Sequence, residues 1–193
     1  MSHRASPLDR AVLACFRGFT RALLVGLAAA LPWLAQAQSP SIPAPSAYDE
    51  VSRLMRAQQL DQALSRAQDY LRSNPRDPQM RFLLGVAQNQ KGDSAAALET
   101  FTSLTQDNPE LPEPHNNLAV LHAAAGRYDE ARVALEAAIR ANPRYAVALE
   151  NLGDVHARLA ERAWQRAREI DTQNPRLAPK LKAVQNLLAP PPR

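Results

Sequence analysis

Cysteine is almost absent from this 193-residue chain, which holds only Cys15. One thiol excludes a disulfide framework and any multi-thiolate metal site within a single chain. Long hydrophobic runs are missing too. The apolar stretch from Ala22 to Leu31 falls short of the roughly 20 residues that cross a hydrocarbon core, which excludes a multi-span membrane protein. With 46% hydrophobic and 22% charged residues spread along the chain, intrinsic disorder is excluded as well. Gly-rich phosphate-binding loops are absent, no Ser sits in a Gly-x-Ser-x-Gly elbow, and no catalytic constellation emerges. The composition therefore points away from an enzyme, and it calls for no metal and no cofactor.

The net charge of +4 invites a nucleic-acid or anionic-membrane reading, but its distribution removes the invitation. Residues 1–37 carry Arg4, Arg10, Arg17 and Arg21 against Asp9, a net of +3, and the remainder is nearly balanced at +1. Arg21 is followed by the Ala22–Leu31 run, then by Pro32 and the small-residue triplet Ala35-Gln36-Ala37. This is the order of a secretory signal peptide, with cleavage expected after Ala37. Twin arginine is lacking, so export would proceed on the unfolded chain into an oxidising compartment, and Cys15 would leave with the signal. The expected location is the bacterial periplasm. Residues 38–46, QSPSIPAPS, read as an extended linker.

The rest of the chain is periodic. Asn-Pro recurs at Asn74-Pro75, Asn108-Pro109, Asn142-Pro143 and Asn174-Pro175, with spacings of 34, 34 and 32. Gly85 and Gly153 lie 68 apart, Gly92 and Gly126 lie 34 apart, and Ala63, Ala97 and Ala131 repeat the same period. In register, Leu84-Gly85, Gly92, Ala97, Phe101 and Pro109 are matched by Leu118-Ala119, Gly126-Arg127-Tyr128, Ala131, Ala138 and Pro143. These residues resemble the tetratricopeptide repeat pattern.

Each position has a local reason. Small Gly85, Ala119 and Gly153 let two helices approach closely, Gly92 and Gly126 permit positive φ between them, and Pro75, Pro109 and Pro143 force the preceding Asn out of the helical region. The resemblance implies an all-α, right-handed solenoid of stacked helical hairpins with a concave groove. Repeats are placed at about 47–77, 78–111, 112–145 and 146–177, followed by a capping helix and Pro-rich tail over 178–193. The fourth unit lacks five residues of the turn, and its apolar 3 and 4 spacing predicts one long helix over about 146–172. Leu177 to Leu188 reads as an amphipathic cap.

Candidate residues divide into packing and groove positions. His122 and His156 share one phase, which points between helices, and read as core or semi-buried histidines; Trp164 matches a core aromatic. Arg158, Arg162 and Arg166 at i, i+4 spacing beside Glu161, Glu169 and Asp171 predict a salt-bridged solvent face. Asn117 and Asn151 are expected to bond nearby backbone. The resemblance places Phe82, Val86, Asn89 and Gln90, then Asn116, Val120, Ala123 and Ala124, then Glu150, Asp154, Ala157 and Arg158 along the concave groove. The expected function is a non-catalytic scaffold that binds a peptide or protein segment of the cell envelope, with no nucleic acid and no membrane after signal cleavage. Two alternatives are an accessory module of peptidoglycan metabolism and a self-associating module, a homo-oligomer whose exposed apolar capping face drives dimers.

Overall fold

Helix follows helix at intervals set by the punctuation residues. A computed structural model describes residues 46–189, and among these it contains eight α-helices and no strand. They are α1 (Ala47–Arg56), α2 (Leu60–Ser73), α3 (Pro78–Lys91), α4 (Ser94–Asp107), α5 (Pro112–Ala124), α6 (Tyr128–Ala141), α7 (Ala146–Ile170) and α8 (Leu177–Leu188). The signal segment 1–37, the linker up to residue 45 and the tail 190–193 lie outside the described residues. No described helix is long and apolar enough to cross a membrane.

Starts and stops obey the local chemistry. Asp77 caps α3 by accepting the Met80 amide at 2.9 Å, with Pro78 at the first helical position, and Asp93 caps α4 through the Ala96 amide. Ser46, assigned to the linker by its neighbours, closes a capping box with Asp49 and opens α1. Asn74, Asn108 and Asn142 end the second helix of each hairpin with φ of −134°, −136° and −140°. The prolines that follow enforce the break.

The turn inside each hairpin needs one left-handed residue. Gly92 (φ 91°) and Gly126 (φ 72°) supply it in the second and third hairpins, whereas the first uses Gln58 (φ 58°), 34 residues before Gly92. A side chain there costs about 1–2 kcal/mol, and glycine would return about half of that to backbone entropy in the unfolded chain. Gln58→Gly is therefore expected to stabilise the protein by about 0.5–1 kcal/mol and raise Tm by about 2–4 °C. A thermal scan in which Tm falls would contradict this account of the turn.

Hairpins α1/α2, α3/α4 and α5/α6 cannot bury both helices alone, so each second helix also packs on the first helix of the next unit. Val51, Leu54, Met55, Ala63, Ala67, Met80 and Ala87 join α1, α2 and α3. Ala97 and Phe101 of α4 meet Leu118 and Leu121 of α5, and Ala131, Leu135 and Ala138 of α6 meet Ala119, Ala148 and Val155. The expected close approach holds at Gly85, where a Cβ would lie 2.7 Å from the Phe101 ring. The first joint carries a polar pin. Tyr48 of α1 and Tyr70 of α2 donate to Asp77 at 2.5 and 3.2 Å, so the residue that caps α3 also ties the preceding hairpin to it.

The fourth unit is one continuous helix, α7, and the cap α8 spans the expected residues. Three expectations change as a result. Gly153 meets nothing within 4 Å, so it mediates no close approach. His156 is exposed where His122 is half-buried, because no second helix follows to cover it. Trp164 is only half-buried, with the Lys180 ammonium of α8 5.4 Å above its ring.

Candidate binding surface

The first helices of neighbouring hairpins touch one another, α1 with α3 and α5 with α7. In a curved array the inner row is the more closely spaced, so α1, α3, α5 and α7 line the concave side. The expected groove residues are carried on three of these helices. Phe82, Val86 and Asn89 of α3 are half-buried and Gln90 is exposed. Phe82 and Val86 rest their inner edges on the core, Phe82 tilted against Phe101 with ring centroids 5.8 Å apart, and leave the rest of each side chain accessible. On α5, Val120 and Ala123 are half-buried and Ala124 is exposed.

Asn116 requires a correction. It is only 5% exposed, and its Oδ1 accepts a 2.8 Å hydrogen bond from Asn151 Nδ2 of α7. Its amide oxygen is spent on holding two helices together, so Asn116 is a joint and not a groove contact. Asn151 is corrected by the same bond, since its partner is a side chain and not nearby backbone. Asn117 behaves as expected and donates to the Glu113 carbonyl at 2.9 Å. On α7, Glu150 and Asp154 are exposed and give this end of the surface a negative edge, Ala157 is buried, and Arg158 pairs with Glu161 at 3.4 Å.

Arg162 was expected in a salt-bridged face. It instead donates to the Gly126 carbonyl at 2.7 Å and lies 4.9 Å from the Tyr128 ring centroid, tying α7 to the α5–α6 turn. A feature absent from the sequence reading is an open hollow of about 510 Å³ formed by α5 and α6, bordered by His115, Leu118, His122, Glu130, Val133 and Ala137. None of the expected groove residues lines it. His122 Nδ1 accepts from Arg127 Nε at 3.0 Å, and burial followed by the Arg127 charge holds this imidazole below its ordinary pKa. His115 Nε2 donates to the Pro109 carbonyl at 3.2 Å. Both rings are engaged locally, and among the described residues no group of three or more His, Cys, Asp or Glu side chains is placed to hold a metal.

Two models described as tetratricopeptide repeat match residues 48–112 and 88–150, together more than half of the chain. The chain belongs to the tetratricopeptide repeat family. Superkiller complex protein 3 of Homo sapiens is 31% identical over 109 residues, covering 56% of this chain and 7% of that protein. The probable biofilm formation methyltransferase WspC of Pseudomonas putida is 35% identical over 91 residues, covering 47% of this chain and 22% of that protein. This tetratricopeptide chain thus spans a minor part of the curated relatives it matches. Among solved structures, YrrB, a TPR protein with an unusual peptide-binding site, aligns with a TM-score of 0.51 and 26% identity over 54% of each chain. The family and its all-helical solenoid are those of a protein-interaction module.

Proposed function

We propose that this tetratricopeptide chain is a non-catalytic adaptor of the bacterial cell envelope that holds an extended protein segment on its concave face. The observation that carries the reading is the row of side chains on α3 and α5 that the hairpin cores leave partly uncovered. Phe82, Val86 and Val120 offer apolar contact, and Asn89 and Gln90 offer amide hydrogen bonds to a peptide backbone. The peptide-binding site named for YrrB supports the choice of ligand class. The envelope setting rests on the order of Arg21, the Ala22–Leu31 run and Ala35-Gln36-Ala37.

A photo-reactive residue at Gln90, with a second at Glu99 on the exposed side of α4 as control, tests both parts in cells. The expected result is an adduct from Gln90 alone, its mass identifying an exported protein, on a chain that begins at Gln38. Equal labelling from both positions would remove the groove from the mechanism. A mature chain that retains residues 1–37 would remove the cleaved signal.

A further inference from the structure

The face of α7 that should receive a second helix lacks one: Leu149, Gly153 and His156 are exposed there, and only Leu152 turns an edge to the core beneath. Leu149, Leu152, Gly153 and His156 correspond, two repeats on, to Arg81, Leu84, Gly85 and Gln88 of α3. On α3 that face is covered by α4: Arg81 bonds Asp107 and Ser103, Gln88 accepts from Thr100, and Phe101 lies on Gly85. On α5 the equivalent Ala119 is covered by Leu135 of α6. After α7 there is no such helix, because the missing turn residues fuse both halves of the unit into one rod. The cap α8 packs on α7 beside Trp164, as the Lys180–Trp164 contact marks, and leaves Gly153, His156 and Ala163 exposed. Leu149 is 48% exposed and Ile170, at the far end of the rod, is 79% exposed.

We propose that a second copy of this chain covers the face, with α7 lying antiparallel on α7 of its partner about a two-fold axis between Leu159 and Ala160. The register follows from the two large exposed apolar residues. Leu149 and Ile170 are equidistant from that axis, so each Leu149 meets the partner's Ile170 and both are removed from water. The charges agree with it. Glu150 then lies one residue, about 1.5 Å, from level with the partner's Arg168, both exposed and on the same side of the seam, while Glu169, which is level with it, sits on the far side of the rod; a parallel pairing would set Glu150 against its own copy. Between these contacts the seam is made of Gly153, His156, Ala160 and Ala163, small enough at three of four positions for close helix approach. Phe82, Val86, Asn89, Gln90 and Val120, which carry the peptide reading, take no part in this interface; Glu150, at the α7 end of the concave side, is the one residue the two surfaces share.

Cysteine pairing tests the register in the full chain with Cys15→Ser. Leu149→Cys mixed with Ile170→Cys is expected to give an oxidised two-chain product, while each variant alone does not, because identical residues across the axis stand about 30 Å apart. Sedimentation equilibrium of the unmodified chain should give a two-chain mass. Ile170→Asp should weaken association by about 100-fold, and Glu150→Arg by about tenfold with recovery on adding Arg168→Glu. These sites are exposed, so helicity by circular dichroism should be unchanged and misfolding is separable from dissociation. A concentration-independent single-chain mass overturns the proposal. So does association that survives Ile170→Asp, or cross-linking by Leu149→Cys alone.

Discussion

Phe101→Ala is expected to cost about 3–5 kcal/mol, because Phe101 is the largest fully buried side chain among the described residues. Its ring is fully buried and works on two interfaces at once: it lies on Gly85 of its own hairpin and packs with Ala97 against Leu118 and Leu121 of the next. Gly85 has no side chain to fall into the cavity, so relaxation is limited. Because each unit of a solenoid touches only its neighbours, the damage should be local. Urea unfolding followed by circular dichroism should show a lower midpoint, and hydrogen exchange should rise first in α3, α4 and α5. Phe101→Leu should cost only about 1–2 kcal/mol, since Leu135 fills the same phase over Ala119 one repeat later. A variant in which alanine and leucine are equally harmful would show that the ring's edge contact with Gly85, and not its volume, decides the fit.

The repeat skeleton was legible because its determinants act within a few residues. Asn-Pro ends a helix through the φ restriction on the residue before proline, and Gly92 and Gly126 mark turns that need positive φ. The same local logic made α7 readable as one rod: a hairpin shortened by five residues has nothing left from which to turn. What escaped depends on the neighbour across the interface. Gly153 carries the repeat's small-residue signal, yet the signal has meaning only when a second helix arrives to use it, and here none does. Gln58 takes a left-handed conformation without a glycine to announce it, because the hairpin connection requires that backbone whatever the residue.

Asn116 shows the limit for the binding surface. Repeat phase assigns it to the groove side of α5, but phase is a property of one helix, while the Asn116–Asn151 bond depends on how α5 and α7 lean together. Their spacing of 35, one more than the repeat, is the only trace this contact leaves in the sequence. The hollow beside α5 and α6 is harder still to foresee. Its wall mixes the small side chains of Ala134 and Ala137 with larger ones, a sum over side-chain volumes that has no motif.

Asp77→Ala is expected to lose about 2–3 kcal/mol, because one carboxylate serves two structural ends. One oxygen accepts the Met80 amide and caps α3; the other accepts from Tyr48, and Tyr70 divides its single hydroxyl proton between that oxygen at 3.2 Å and the Tyr48 hydroxyl at 2.9 Å. Removing it frays the start of α3 and leaves the two part-buried hydroxyls sharing a single bond. The same carboxylate makes the joint sensitive to acid. Burial pushes the Asp77 carboxyl up, but the hydrogen bonds donated by Tyr48, the Met80 amide, Tyr70 and the Gln79 amide together outweigh it, and it titrates below its ordinary value. In the same contact the Tyr48 hydroxyl is held well above the ordinary tyrosine range, chiefly by its bond to Asp77. A depressed carboxyl pKa gives stability that is complete above the unfolded-state value and is lost as pH falls through the folded-state value. Asp77→Asn, which keeps the shape and cannot ionise, should therefore be less stable than the natural chain at pH 7, and the gap should close as pH drops below the ordinary carboxylate range. Paired urea titrations from neutral to acid measure that gap directly, with every other carboxylate common to both chains. A gap of the same size at both ends of the series would mean that the charge on Asp77 contributes nothing and that the pin is a matter of shape alone.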